Sequence, residues 1–308
     1  MANKSFSVLM ETNLPNILYR GKVRDTYDLG SGRLLMVATD RLSAFDVVLP
    51  TGIPNKGKIL SRMSKFWFEK TAHVVPNHLI AMADEQGALP KDSHLGEIPD
   101  IIAAQAMVVH RAERVDIECI VRGYLAGSSW AEYKREGTIF GQTATPGLRE
   151  GQIFPEPLFT PTTKADEGHD ENISIREVEE LVGVSVAREL EEKSIEVYSF
   201  ARDFAAQRGI ILADTKLEFG FVNGELILID EIFTPDSSRF WDARGYAPGK
   251  SQPNFDKQFV RDWLDEHGWD HEPPAPALPD DIVIKTAERY EEALTRLTGQ
   301  PLVGSEEE

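Results

Sequence analysis

The order of strand-like and helical segments predicts an α+β fold with mainly antiparallel sheets. The 308-residue chain opens with short strand-like runs at 17–40, continues with two more at 105–125 and returns to strands at 210–232. Helical patterns are grouped between and after these runs, and strands and helices in separate groups are typical of α+β folds. We expect an N-terminal domain of residues 1–112 and a larger C-terminal α+β domain of residues 113–308.

The first domain begins with short strands joined by glycine turns. Gly21 lies at the first turn, Gly30-Ser31-Gly32 marks the second, and residues 33–39 form an apolar run typical of a buried strand. Residues 57–71 then carry one apolar helical stripe, made of Ile59, Leu60, Met63, Phe66 and Trp67. This stripe predicts a helix that packs on the core.

The second domain is predicted to begin with a strand and a short helix. Residues 105–114 and 116–125 read as two strands that cross from one domain to the other. Residues 128–136 read as a helix with Ser128 or Ser129 as its N-cap, because a serine hydroxyl can accept from the free amides of the first turn.

A loop-rich stretch and two helices follow. Residues 137–172 are dense in glycine, proline and threonine, and loops of this length are usually functional or mobile. Ser174 and Glu177 have the spacing of a capping box for a short helix. A longer helix begins at Ser185 and is closed by Gly209.

The segment from Ile210 to Asp242 predicts a hairpin that gathers acidic side chains. Asp214, Lys216 and Glu218 are two residues apart, so they share one face of a strand, and Asn223-Gly224 is a strong hairpin-turn signal. The return strand is apolar until Asp230. Crowded carboxylates repel one another, and a hard divalent ion shared with phosphate oxygens relieves that repulsion. A hairpin with a solvated polar face is the alternative.

The C-terminal part adds helices only. Residues 257–266 are predicted to be helical, and a last helix at 281–298 has Asp280 as its cap.

Composition restricts the class of protein. The apolar content of 41% and charged content of 27% are ordinary for a globular protein, and no apolar run approaches the ~20 residues of a membrane span. The N-terminus lacks a signal-peptide pattern, and the single Cys119 excludes an intrachain disulfide, which together predict a cytoplasmic protein. The net charge of −18 argues against nucleic acid as a partner.

Six sequence blocks resemble the SAICAR synthetase family, in the order that the family has them. The blocks are YRGKVRD at 19–25, TDRLSAFD at 39–46, GIPNKG at 52–57, IECIVRGYLAGS at 117–128, PLFTPTTK at 157–164 and TPDSSRFWD at 234–242. The resemblance spans residues 17 to 264. It implies a two-lobed fold, kinase-like or ATP-grasp-like, with ATP in the cleft between the lobes.

The resemblance also implies a reaction. ATP, 5-amino-1-(5-phosphoribosyl)imidazole-4-carboxylate (the carboxyaminoimidazole ribonucleotide) and L-aspartate would give the succinocarboxamide ribonucleotide, ADP and phosphate. The γ-phosphoryl group would activate the carboxylate as an acyl phosphate, and the amine of aspartate would then displace phosphate. Such an enzyme must position three anionic partners, and it needs no covalent nucleophile. A monomer or a small homo-oligomer is expected.

Roles follow for residues in the matched blocks and beside them. Glu218 and Asp230 would bind Mg²⁺, Lys216 would steady the transferring group, and Asp214 would orient Lys216 or a second metal. The remaining assignments are Arg20, Gly21, Lys22, Val23 and Arg24 for ATP phosphates; Arg111 and Ala112 for adenine; Arg122, Ser128, Asp236, Ser238 and Arg239 for the ribonucleotide; and Asp40, Ser43 and Lys164 for aspartate. His169-Asp170 is a further candidate for a substrate contact.

Alternatives remain open at this stage. The basic turn at Gly21 and Lys22 could be solvated, and Arg122 could form an internal salt bridge with Glu118 or Asp116. A small-molecule kinase of the same fold would use the same acids and lysine without aspartate. A non-catalytic nucleotide-binding module is the other class.

Overall fold

The computed structural model describes residues 7–90, 93–164, 171–255 and 257–302. In this part of the chain the strands are β1 (Ile17–Arg20), β2 (Arg24–Gly30), β3 (Arg33–Ala38), β4 (Ser43–Ala44), β5 (Val47–Val48), β6 (Leu79–Met82), β7 (Ala106–His110), β8 (Glu113–Tyr124), β9 (Thr138–Ile139), β10 (Gln142–Thr143), β11 (Ile153–Phe159), β12 (Thr162–Thr163), β13 (Ile210–Val222), β14 (Glu225–Ile229) and β15 (Ser238–Asp242). The helices are α1 (Lys56–Thr71), α2 (Asp100–Ala103), α3 (Ser128–Glu136), α4 (Ile175–Val182), α5 (Val184–Ala206), α6 (Gln258–Glu266) and α7 (Asp280–Thr298).

Two larger sheets organise the molecule. The first has the strand order β1-β2-β3-β7-β6. The second has the order β11-β8-β13-β14, and β12 and β15 pair with β8 and β13. Every pairing between these strands is antiparallel, so the predicted α+β fold with mainly antiparallel sheets is confirmed.

One hydrophobic cluster joins the two sheets. It takes buried residues from β7, α1, α5, α7, β8 and β13, with Trp67, Cys119 and Tyr290 among its fully buried members. Backbone hydrogen bonds also connect the two sheets. The Leu228 amide of β14 donates to Pro76 O (2.9 Å), and the His78 amide, just before β6, donates to Leu228 O (3.0 Å). The predicted division into domains at residue 112 also requires that each part fold as a unit, and it stays a prediction.

Local signals placed the elements well, but they placed the caps of α3 and α7 wrongly and the ends of α5 too late: α5 begins at Val184 and has Gln207 as its C-cap, where a start at Ser185 and closure by Gly209 were predicted. The hairpin turn is confirmed, since Asn223 and Gly224 both have positive φ, 52° and 83°, as a two-residue turn of this hand requires. The capping box of Ser174 is present as well. The helix predicted to be capped by Ser128 or Ser129 starts instead from Gly127 without a side-chain cap.

The second wrong cap is at the last helix. Asp280 is the first residue of α7, and Pro279 occupies the cap position without a side-chain hydrogen bond. Of the helices in the described residues, none is both long and apolar enough to cross a membrane.

Candidate active site

The centre of the site is one face of β13, where Lys216 lies between two carboxylates. Lys216 Nζ donates to Glu218 Oε1 at 2.6 Å and to Glu118 Oε1 at 2.9 Å, and Lys164 Nζ contacts the other oxygen of Glu218. Glu218 stands directly opposite Glu118 in the β13–β8 pairing. Like charges opposed in this way repel, so Lys216 is held where it neutralises both.

Asp230, at the end of the β13–β14 hairpin, adds a carboxylate to this group of charged side chains. The group (Glu118, Lys164, Lys216, Glu218 and Asp230) is called the corner below. Asp230 Oδ2 accepts from Arg24 Nη2 at 2.8 Å, and Arg24 Nη1 contacts Glu231 at 3.0 Å. Arg24 comes from β2 of the first sheet, so this ion pair spans the space between the sheets. Asp230 has φ 64°, a left-handed backbone conformation that few residues other than glycine adopt.

Burial and ion pairing set the protonation states here. Burial lowers the pKa of Lys216, but Glu218 and Glu118 outweigh it and hold the pKa well above its ordinary value. Burial raises the pKa of Glu218, but Lys216 and Lys164 outweigh it and leave that pKa well below the ordinary 4.5. Burial raises the pKa of Asp230 above its ordinary value, an effect that Arg24 opposes in part. The two carboxylates beside Lys216 therefore favour its charged form.

The turn between β1 and β2 points two of its amides away from Arg41. Beneath it, the Arg41 guanidinium donates to Gly21 O (2.9 Å) and to Lys22 O (3.1 Å). A trans peptide points its N–H opposite to its C=O, so the amides of Lys22 and Val23 face the other way. Outward amides beside a lysine form a seat for phosphate. Lys22 Nζ itself contacts Asp46 at the surface.

A second group of cations surrounds Asp214, four residues before Glu218 on the same face of β13. Asp214 Oδ2 accepts from Arg239 Nη1 at 2.6 Å and from Arg122 Nη1 at 3.3 Å. Arg122 also donates to Thr160 Oγ1 at 3.1 Å and to Ser128 Oγ at 3.2 Å. Burial lowers the pKa of Arg122 from its ordinary value, although Asp214 opposes this.

Because Gly127 has no side chain, the Arg239 guanidinium can lie directly against its backbone. Gly127 has φ 58°, and a Cβ built on it would lie 2.3 Å from Arg239 Nη2. Arg239 therefore lies against the backbone that leads into α3, where unpaired amides favour an anion. Ser238, the neighbour of Arg239, points elsewhere and shares a hydrogen bond of 2.8 Å with Thr215.

The structure separates some predicted partners from the centre. Asp214 bonds to two arginines, whereas Lys216 bonds to Glu118 and Glu218; that Asp214 orients Lys216 or a second metal stays a prediction. Lys164, predicted beside aspartate, contacts the predicted metal ligand Glu218. Asp236 is buried against Lys56 Nζ (2.8 Å), with Tyr290 Oη as a second donor, which favours a structural role over a ribonucleotide contact.

Three more predictions lie at the edges of the site. Both oxygens of Asp40 accept backbone amides, from Leu9 at 2.7 Å and Gly57 at 2.8 Å, so its carboxylate already has a structural use. Ser43 lies in the short β4–β5 hairpin. Arg20 donates to Thr12 O at 2.9 Å and lies 3.7 Å from the buried Asp25.

The predicted adenine segment and the histidine loop complete this survey. Arg111 is exposed and contacts Asp28 at 3.2 Å. Ala112 connects β7 to β8 so close to β13 that a Cβ on Gly220 would lie 2.9 Å from the Ala112 Cβ. The candidate pair His169-Asp170 lies outside the described residues.

Sequence reasoning missed residues that the site depends on. Glu118, which the sequence suggested only as a partner of Arg122, is four residues before it on β8, and the period-two rule that selected Glu218 could have placed it in the site. Arg41 and Thr160 act through contacts with distant residues, for which the sequence carries no local signal.

The donors of the corner fit a hard divalent cation only together with a ligand. Within the described residues there is no group of three or more metal-ligating side chains. Glu218 and Asp230 supply carboxylate oxygens, and Mg²⁺ is commonly bound by one or two carboxylates plus substrate phosphates and water.

Known proteins are similar in sequence to this chain over nearly its full length. The sequence model of the SAICAR synthetase family matches residues 17–276. The phosphoribosylaminoimidazole-succinocarboxamide synthase of Elusimicrobium minutum is 51% identical over 288 residues, covering 93% of this chain and 97% of that protein. The synthase of the same name from Ralstonia nicotianae is 52% identical over 298 residues, covering 94% and 96%.

Solved structures share the fold. The SAICAR synthase of Saccharomyces cerevisiae, complexed with SAICAR, has a TM-score of 0.84 and 42% identity, covering 96% of this chain and 98% of that one. A SAICAR synthetase in complex with ADP has a TM-score of 0.69 and 26% identity, covering 93% of this chain and 99% of that one.

Proposed function

The chain belongs to the SAICAR synthetase family, and from that premise we propose how its residues carry out the reaction. It is a carbon–nitrogen ligase of purine biosynthesis that uses ATP and joins L-aspartate to the carboxyaminoimidazole ribonucleotide. The kinase and the non-catalytic module are not favoured, because similarity to synthases of this one activity extends over at least 93% of the chain.

The observation that carries the proposal is the presence of two cationic groups on one face of β13. The Glu218 end holds Lys216, Lys164 and Arg24, and the Asp214 end holds Arg122 and Arg239. Four strand residues separate the two ends by about 13 Å. We assign the transferring phosphoryl group to the Glu218 end and the ribonucleotide phosphate to the Asp214 end.

Each residue at the Glu218 end then has a task. Mg²⁺, held by Glu218, Asp230 and the ATP phosphates, would neutralise charge on the transferring group. Lys216 keeps its proton, so it steadies that charge as a fixed cation. The outward amides of Lys22 and Val23 bind the ATP phosphates from the opposite sheet, and Arg111 and Ala112 border the adenine.

In the acyl phosphate route the protein forms no covalent bond to a substrate. The γ-phosphoryl group passes from ATP to an oxygen of the ribonucleotide carboxylate, and ADP leaves. The amine of aspartate then attacks the carboxyl carbon, the C–O bond to the phosphoryl group breaks, and phosphate and the amine proton are released. Orientation and charge stabilisation by fixed groups are sufficient catalysts for such a transfer. Ser43 remains our candidate for an aspartate contact. The cytoplasmic location and the state of assembly, a monomer or small homo-oligomer, stay predictions.

The reaction is tested by ADP release with Mg-ATP and the ribonucleotide, with and without L-aspartate. Release that needs all three substrates and yields the succinocarboxamide ribonucleotide is expected. Aspartate-independent release with a stable phosphorylated product would indicate a kinase, and ATP binding without any release would indicate a non-catalytic module.

The assignment of the Asp214 end is tested separately with Arg239→Ala. We expect the KM for the ribonucleotide to rise far more than the KM for ATP, since only the ribonucleotide phosphate loses a charged partner. Arg244→Ala is the matched control, because Arg244 is an exposed arginine five residues away that pairs with Asp242. Equal rises in both KM values would contradict the assignment.

A further inference from the structure

The short β9–β10 hairpin lies against the ribonucleotide end of the site and carries an aromatic ring over its buried arginine. The Phe140 ring centroid is 5.3 Å from Arg122 Cζ. Phe140 and Gly141 form the tip of the hairpin, between Thr138–Ile139 and Gln142–Thr143, and both have positive φ. A guanidinium within about 6 Å of a ring face is attracted by the negative charge of that face.

Most N–H groups of the Arg122 guanidinium already donate hydrogen bonds within the protein. A guanidinium has five N–H donors. Three of them go to Thr160, Asp214 and Ser128, counting bonds within the described residues. Among the described residues, one N–H on each terminal nitrogen has no acceptor, and Arg122 Cζ lies over the Phe140 ring. These two N–H groups are the donors that an anion can still use.

Glu132 fixes the hairpin in this position. One carboxylate oxygen accepts from Thr138 Oγ1 and from the Gly141 amide, each at 2.8 Å. The other accepts from the Phe140 amide at 3.0 Å. Glu132 belongs to α3, which begins beside Gly127, so the helix that offers its N-terminus to the anion also holds the tip of the hairpin.

This geometry excludes two simpler explanations for the contact. Phe140 is only partly buried, so burial in a core does not by itself account for its position. Glu132 is close enough to oppose the lowering of the Arg122 pKa. It forms no ion pair with Arg122 in the structure, because both of its oxygens accept hydrogen bonds from the hairpin. A cavity of about 900 Å³ opens here, with Ser128, Phe140 and Thr160 in its wall.

We propose that Phe140, held by Glu132, is a positioning residue for the ribonucleotide: its ring attracts the Arg122 guanidinium and shields it from water, so that the two remaining N–H groups meet the phosphate. The inference rests on the proposed function, which places that phosphate at Arg122 and Arg239. Neither Phe140 nor Glu132 touches the reacting atoms, so their contribution lies in substrate affinity.

The test compares Phe140→Leu with Phe140→Tyr in the full-length enzyme. Leucine keeps apolar bulk but removes the ring face, whereas tyrosine keeps the face. We expect Phe140→Leu to raise the KM for the ribonucleotide about fivefold, with kcat and the KM for ATP unchanged, and Phe140→Tyr to stay within about twofold of the wild type. Inhibition by ribose 5-phosphate, which carries the phosphate without the base, should weaken in the same proportion.

Glu132→Gln tests whether Glu132 holds the β9–β10 hairpin in position. An amide can still accept with its oxygen, but its NH₂ opposes the Phe140 amide, so we expect a smaller rise in the same KM. Glu136→Gln is the matched control, because Glu136 is one helical turn on and contacts only Arg135 among the hydrogen bonds and ion pairs of the described residues. Thermal unfolding of each variant shows whether the hairpin change stays local.

Each outcome decides between the proposals. An unchanged KM in Phe140→Leu overturns this inference when Arg239→Ala still raises the KM, and an unchanged KM in both variants overturns the proposed phosphate site instead. Equal rises in Phe140→Leu and Phe140→Tyr, or a parallel loss of ATP affinity, would show that the ring face has no positioning role.

Discussion

Gly127→Ala is the sharpest perturbation that the structure offers, because it acts on Arg239 without changing any charged residue. A Cβ at this position would lie 2.3 Å from Arg239 Nη2 and 2.5 Å from its Cζ. The obstructing group is the end of a flexible side chain, so the guanidinium will move rather than the backbone. Movement breaks the hydrogen bond of 2.6 Å between Arg239 and Asp214.

The magnitude has two parts. A residue with a Cβ at φ 58° and ψ −131° is strained by about 1–3 kcal/mol, which appears in the free energy of unfolding. Displacing one charged hydrogen-bond partner from the bound phosphate removes about 2 kcal/mol of binding. That loss corresponds to a rise of about 30-fold in the KM for the ribonucleotide.

Gly137→Ala is the matched control at the other end of α3. Gly137 has φ 71° and ψ 13°, and a Cβ there meets nothing within 4 Å. It should lose about 1 kcal/mol of stability through backbone strain and keep both KM values. Denaturant unfolding and steady-state kinetics on the two variants separate strain from displacement. A Gly127→Ala enzyme with the stability loss but an unchanged ribonucleotide KM would refute the reasoning.

The other predictions concern the metal corner and a buried ion pair. Glu218→Gln and Asp230→Asn should each abolish turnover while the thermal unfolding transition is kept; near-normal rates at saturating Mg²⁺ would contradict the metal assignment. Lys56→Met should lower the free energy of unfolding by about 3 kcal/mol, since it leaves the buried Asp236 with weaker partners; a loss below about 1 kcal/mol in denaturant unfolding would show that Tyr290 and Lys257 suffice. Burial raises the pKa of Asp236, but Lys257 and Lys56 outweigh it and hold the pKa below its ordinary 3.8, so its ionised form stabilises the fold fully above that pH and less as the pH falls below it. Unfolding free energies measured between pH 5 and 2, scanned at about unit steps, should therefore decline less steeply in Asp236→Asn than in the wild type, and parallel curves would contradict this.

The parts of the fold that the sequence predicted are those with a local cause. Asn223-Gly224 specifies its turn because both residues tolerate positive φ, and the capping box of Ser174 needs only a partner three residues on. The acids of β13 were visible because a strand repeats every two residues. The caps at Ser128 and Asp280 failed because the residue before each, Gly127 and Pro279, already occupies the cap position.

The pairing of the charged residues could not be predicted in the same way. Asp214 meets Arg122 across 92 residues of sequence, and Arg24 meets Asp230 across 206. Such contacts depend on which strands become neighbours and in which register, and no local pattern contains that information. Asp40 and Asp236 were predicted to be ligand residues from their type and motif, and the backbone amides and the lysine that contact them in the structure lie elsewhere in the chain.

The register of β13 explains how a strongly acidic protein can hold three anionic substrates. Asp214 stands opposite Arg122 on β8 and Arg239 on β15, and Glu218 stands opposite Glu118. A slip of one residue would turn every one of these side chains to the other face. The strand is paired with β8, β14 and β15, which makes such a slip unfavourable. In the free protein each carboxylate therefore keeps its cations together and partly neutral, and a bound phosphate can take over a cation that is already in place. Asp214 would then act as the group that holds two repelling arginines side by side until the ribonucleotide arrives.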